Sequence, residues 1–273
     1  MDLANTFGAI LLGTFFAAMY VFILLRFHIK IGRADVPVLS LYGITILQTF
    51  IYIQNSKKDP LWSKLVVCYL WVLDTLHISF AIHVVYYYLI LNYFDPLQLL
   101  DVAWSYKAQN IVGPICISSV QTLYVLRVWK LDAVVHRQSR FRYLLPVIVT
   151  ILLFGGYAGS IAFWYELVQP ANDSILHLEG LKWVTYVPLS LWSGVDVTIA
   201  LSMSYLLARS RTGFQRSNTV IATIMMFTLN TGAITSVLSI TSIIAKAALP
   251  GELVFIGLQS PLVPLHTNSF MAM

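Results

Sequence analysis

The sequence predicts an all-α fold, a polytopic bundle of seven transmembrane helices with its N-terminus outside and its C-terminus inside. Three observations carry this expectation. The 273 residues are 58% hydrophobic and 11% charged, with a mean hydropathy of +0.77, whereas soluble domains carry roughly 25% charged residues. Apolar runs recur at lengths that cross a hydrocarbon core of about 30 Å as helices. The basic residues between those runs alternate, loop by loop, between many and few.

The runs lie at about 64–91, 108–128, 143–164, 183–207, 219–245 and 253–265, preceded by a more complex region ending at residue 54. Long unbroken runs exclude a transmembrane barrel, whose strands alternate over about ten residues. Aromatic residues gather at the expected boundaries: Tyr86, Tyr87, Tyr88 and Tyr93, then Trp104 and Tyr106, then Trp164, Tyr165, Trp183 and Tyr186. Loops 55–64, 127–142 and 206–217 hold eleven Lys and Arg residues, against only Lys107, Lys182 and Lys246 in the alternate loops. The first set is therefore expected to face the cytoplasm. Asn172-Asp173-Ser174, the one N-x-S/T sequon, falls in a loop expected outside, making Asn172 a glycosylation candidate.

The net charge of +5 is a matter of topology and not of nucleic acid, because the basic residues form short clusters between apolar runs. Cys68 and Cys116 both sit inside apolar runs and read as packing residues, without a disulfide or metal role. The N-terminus, MDLANTFGAILLG, lacks the basic n-region and cleavage site of a secretory signal, so its apolar run is expected to remain as a span.

The region before residue 54 resists division into ordinary spans. Segments 7–19 and 42–54 flank residues 20–41, which carry Arg26, Lys30 and Arg33. Two separate spans would put the lysines of loop 55–64 outside, against the other loops. Without 20–41 the flanks join into 26 residues, one ordinary span.

LWVLDTLH (70–77), YYYLILNYFDPL (86–97), DVTIALSMSYLLARSRTGF (196–214), NTGAITS (230–236) and TNSFMAM (267–273) resemble a fungal family of seven-helix membrane proteins carrying domain of unknown function 6534. The likeness to its conserved domain is greatest over about 193–273. The resemblance implies that 7–19 and 42–54 form one helix and that 20–41 is an insertion from a retained intron or gene-model error. It also implies a cytoplasmic tail beyond the last residues here. It implies no activity, since the family's function is unassigned.

Five helices place a polar group within the apolar layer: Gln48, Asp74, Gln121, Asp196 and Asn230. A charge there costs roughly 2.5–3.5 kcal/mol on insertion scales, so such groups turn toward partners or an aqueous cavity. At 100° per residue His77 lies about 60° from Asp74 and shares its face, whereas His83 lies about 180° away. Asp74, His77, Asp196, Asn230, Gln48 and Gln121 are accordingly expected to form a midplane cluster, either a ligand site or cross-helix bonds worth about 0.6 kcal/mol each. Ser193, Gly194, Gly232 and Ser236 read as close-packing positions, and Pro114, Pro188 and Gly155-Gly156 as kinks.

The functional expectation is a receptor- or sensor-like bundle without enzymatic chemistry, in the plasma membrane or another membrane of the secretory pathway. Its expected partners are the lipid bilayer, an unidentified small molecule and a cytoplasmic partner at the basic inner loops; no cofactor, metal or nucleic acid is expected. A G-protein-coupled receptor of the usual kind is disfavoured, because YVLRVWKL has no acidic residue before Arg127 and the last run lacks N-P-x-x-Y. A retinal protein is disfavoured because 253–265 has no lysine. The first alternative is a small-molecule or ion transporter or channel, motivated by the midplane carboxylates, although matching broken helices are missing. The second is an intramembrane metal-dependent hydrolase using Asp74, His77, Asp196 and His266, against which stands the lack of H-E-x-x-H.

Overall fold

The computed structural model describes residues 32–56, 59–92, 102–136, 143–169, 182–210, 215–248 and 258–272. Side chains are described for all of these except 32–37, 89, 182–185 and 215–231. These residues form seven α-helices and no strand: α1 (Gly32–Asn55), α2 (Leu61–Tyr86), α3 (Trp104–Val135), α4 (Leu144–Val168), α5 (Lys182–Arg209), α6 (Gln215–Ala248) and α7 (Leu262–Met271). A π-helical turn, Tyr87–Leu91, extends α2. Among the described residues α2, α3, α4 and Tyr186–Arg209 of α5 are long and apolar enough to cross a membrane, and Gly232–Ala248 is a shorter apolar segment.

Polar and apolar residues are distributed for a lipid solvent. On α4 the buried positions are Pro146, Val149, Leu153, Gly156, Ser160 and Leu167, a three-and-four spacing that marks one helical face. The opposite face presents Ile151 and Phe154, about two-thirds exposed. The interior, conversely, holds Asp74, Asp132, Asp196, Gln121 and His266. In a helix every central backbone group is bonded internally, which is why a spanning segment of this kind is helical.

Sequential neighbours pack from α1 to α7, and α7 returns to touch α1, closing a ring; α3 also meets α5 and α7, which makes it the central element. The apolar core follows α3, through Cys116, Ile117, Val120 and Val128, and takes in Leu70 of α2, Val149 of α4 and Val195 and Met203 of α5. Two glycines set helix spacing. A Cβ on Gly156 would lie 2.9 Å from the Trp192 ring, bringing α4 onto α5, and one on Gly232 would lie 2.7 Å from the Ala200 Cβ, bringing α6 onto α5. Gly194, read from sequence as a packing position, has nothing within 4 Å of its would-be Cβ.

Pro114 deprives α3 of one backbone donor and frees the carbonyl of Asn110 four residues back. Trp164 of α4 donates its indole N–H to that carbonyl at 2.9 Å. The lost intrahelical bond thus becomes an interhelical one.

The first helix differs in extent from the sequence expectation. Residues 32–41 continue directly into 42–55 as α1, and at 24 residues this helix is about 36 Å long without any contribution from 7–19. Val38 is buried, and the Leu41 carbonyl accepts a bond from Asn268 Nδ2 at 2.7 Å, so these positions are packed into the bundle. Residues 7–19 and the rest of the expected insertion, 20–31, lie outside the described residues. Of the expected last span, 253–265, residues 253–257 lie outside the described residues; α7 runs from Leu262 to Met271, and its polar residues His266, Thr267, Asn268 and Ser269 are all buried.

Candidate functional site: a polar interior and a cavity at one end

The polar residues singled out in the sequence occupy three settings. The first is a closed cluster in which α3, α5 and α7 converge. Gln121 donates its Nε2–H to Asp196 Oδ1 at 2.8 Å, and His266 Nε2 lies 3.1 and 3.0 Å from the two Asp196 oxygens. His266 Nδ1 faces the Leu262 carbonyl at 2.8 Å. A carbonyl only accepts, so Nδ1 carries a hydrogen and the Nε2–carboxylate contact holds a second proton between ring and acid. Such a bond, inside a low-dielectric bundle, is among the stronger kinds. A cavity of about 30 Å³ adjoins it, lined in part by Asp196, His266, Thr235 and Gly232.

His266 did not enter the expected cluster because the apolar run ends at Leu265. Its signal was spacing: His266 and Ser269, three apart, share a face of α7, and Ser269 meets Tyr124 of α3 at 2.7 Å.

Asp74 occupies the second setting. Its side chain is fully buried, and among the described residues neither carboxylate oxygen has a hydrogen-bond partner. The Thr45 hydroxyl of α1 bonds Asn268 Oδ1 at 2.9 Å and the Leu41 carbonyl at 3.2 Å, so its single hydrogen is directed elsewhere. Gln48 Oε1 is likewise buried without a partner among the described residues. Asn230 lies within α6, but its side chain is outside the described residues, as is Asn172 altogether.

The third setting belongs to His77, one helical turn beyond Asp74. It is 4% exposed, and its Nδ1 has no hydrogen-bond partner among the described residues. The ring lies against Gly113 of α3, where a Cβ would approach Cδ2 to 3.3 Å. His77 lines a cavity of about 120 Å³ whose other walls come from the N-terminal half of α3, the C-terminal half of α4, the N-terminal half of α5, Lys246 of α6 and the start of α7. Ile117, Phe163, Leu189 and Trp192 make its apolar wall, Gln109, Asn110, Ser160 and Ser260 offer hydrogen-bonding groups, and Glu166 and Lys246 complete the lining. His83 points elsewhere: its Nδ1 meets Ser105 Oγ at 2.9 Å, and its ring lies against Trp104.

The opposite end of the bundle is tied shut. Asp132 Oδ2 accepts the Tyr143 backbone N–H at 2.9 Å, and Asp132 Oδ1 takes His136 Nδ1–H at 2.8 Å. Arg209 of α5 then donates from Nη1 to His136 Nε2 at 3.1 Å. This chain of bonds fastens the end of α3 to the beginning of α4 and the end of α5. Nearby, Arg127 lies over the rings of Tyr124 and Phe270, 4.8 Å from the latter's centroid.

Among the described residues no three His, Cys, Asp or Glu side chains stand close enough to hold one metal ion. His266 and Asp196 are paired with each other, not gathered with Asp74 and His77 into a ligand set.

Compared with known proteins, residues 192–273 match a family described as "Family of unknown function (DUF6534)". The match takes in most of α5 and all of α6 and α7. No curated protein and no solved structure matches the chain.

Proposed function

We propose that this chain is a seven-span membrane protein of receptor or sensor type, N-terminus outside and C-terminus inside, which binds a small molecule in the 120 Å³ cavity. The observation that carries this reading is His77, a buried histidine that lines that cavity and whose Nδ1 has no hydrogen-bond partner among the described residues. An unmade hydrogen bond at a buried polar atom costs about 1–3 kcal/mol, and a bound ligand is the natural way to recover it. Apolar walls with a few convergent polar groups are the usual composition of a ligand site. The lysine and arginine count puts the cavity at the outer end and the tied Asp132–His136–Arg209 end, with the basic loops, toward a cytoplasmic partner. The motifs upstream of residue 192 support membership of the fungal seven-helix family, in the plasma membrane or another membrane of the secretory pathway.

The test is thermal unfolding of the purified protein in lipid nanodiscs against a panel of small aromatic and aliphatic compounds. Binders should raise the melting temperature of the wild type. Ile117→Phe, which fills the cavity, should abolish the rise. A panel without effect, or effects that survive Ile117→Phe, would remove the reading.

A second reading, passage of ions or protons, is favoured by one observation, the unpartnered Asp74. It requires the Arg209–His136 tie to open, and it predicts flux in proteoliposomes that Asp74→Asn eliminates.

A further inference from the structure

We infer that the cavity selects a neutral, single-ring aromatic alcohol, of which phenol is the simplest probe; the inference rests on the small-molecule reading above. Size is the first argument. An apolar cavity of about 150 Å³ accommodates benzene, and this one, at about 120 Å³, is on the scale of a single ring.

The wall gives the second. Tyr106, Phe163 and Trp192 all line the space, and aromatic rings gain from edge-to-face and offset contacts beyond the area they bury.

The third argument is the hydrogen-bonding requirement of the floor. A neutral imidazole has one donor and one acceptor nitrogen; His77 Nδ1 is buried without a partner among the described residues, and Nε2, beside the lining residue Gly113, is the nitrogen left to meet a ligand. A hydroxyl both donates and accepts, so it satisfies His77 in either tautomer. A hydrocarbon of the same shape leaves the ring unsatisfied.

Charge is the fourth. The acidic and basic residues of the lining, Glu166 and Lys246, are of opposite sign, so neither an anion nor a cation gains from both. A neutral ligand also avoids the desolvation cost that a charged one meets in an apolar pocket.

The experiment measures binding of phenol, toluene, benzoate and hexanol to the wild-type protein in nanodiscs, with empty nanodiscs subtracted for lipid partition, by saturation-transfer NMR. Phenol should bind roughly tenfold more tightly than toluene, as one recovered hydrogen bond implies, and benzoate should not bind. His77→Phe should erase the phenol-over-toluene preference while both rings still bind. Ile117→Phe should abolish both, which keeps the test decisive if His77→Phe does not fold. Equal affinity for toluene and phenol, tighter binding of benzoate, or a preference that survives His77→Phe would overturn the inference. Hexanol binding alone, lost in Ile117→Phe, would overturn it and leave the small-molecule reading standing. Silence from all four probes and the wider panel would end both.

Discussion

At the scale of single residues, the buried pair Asp196–His266 and its donor Gln121 set the largest energies. Removing one member of a buried pair leaves the other uncompensated, at a cost of about 3–5 kcal/mol, whereas an apolar replacement of both is often near neutral. His266→Ala should therefore destabilise by that amount and the double variant Asp196→Leu/His266→Leu by much less, as read in a double-mutant cycle of unfolding in detergent. Gly232 makes a second prediction. A methyl group 2.7 Å from the Ala200 Cβ has no flexible neighbour to displace, so Gly232→Ala should cost about 1–3 kcal/mol, and adding Ala200→Gly should restore the loss in the same measurement. That an acid in an apolar run turns inward was readable in the sequence, and Asp74 and Asp196 are buried; Asp132, equally buried, was not singled out. The pairing of these groups was not readable. Asp196 was placed with Asp74 and Asn230, but the imidazole that meets it comes from His266, seventy positions later, and a hydropathy profile drops that residue from the span because it is polar.

At the scale of helices, α3 shows what local sequence gives and what it withholds. Pro114 identifies a kink and an orphan carbonyl at Asn110 from sequence alone. That an indole from α4 would cap it depends on the tertiary register of two helices. Trp164→Phe should cost about 1–3 kcal/mol through the carbonyl left unsatisfied. In a Pro114→Ala background the new backbone N–H can serve Asn110, so the same Trp164→Phe change should cost almost nothing; thermal unfolding of the four variants checks this. The helix ends were less legible than the helices. Hydropathy ended the last span at 265, while α7 runs on to Met271, because its buried positions there, His266, Thr267, Asn268 and Ser269, are polar. The cavity was illegible altogether: it arises from what Gly113 omits beside His77 and from where six helices leave a gap, neither of which has a periodicity.

At the scale of the whole molecule, the alternation of basic loops gives one further expectation. Asn172 should carry a glycan on the outer side when the chain is expressed in a eukaryotic secretory pathway, seen as a mobility shift that glycosidase or Asn172→Gln removes; an unglycosylated Asn172 would count against the orientation. The bonds around α3 and α4 have a mechanical corollary. These two helices are joined near one end by Trp164 and Asn110 and near the other by Asp132 and the Tyr143 amide, so they cannot splay without breaking a part-buried hydrogen bond. They form a frame to which the other helices are fastened: Arg209 holds His136 at the end of α5, while Gln121 and Tyr124 of α3 hold Asp196 of α5 and Ser269 of α7 by buried bonds. The helices fastened to it, with α6, are nearly coextensive with the segment, 192–273, that the chain shares with its family match.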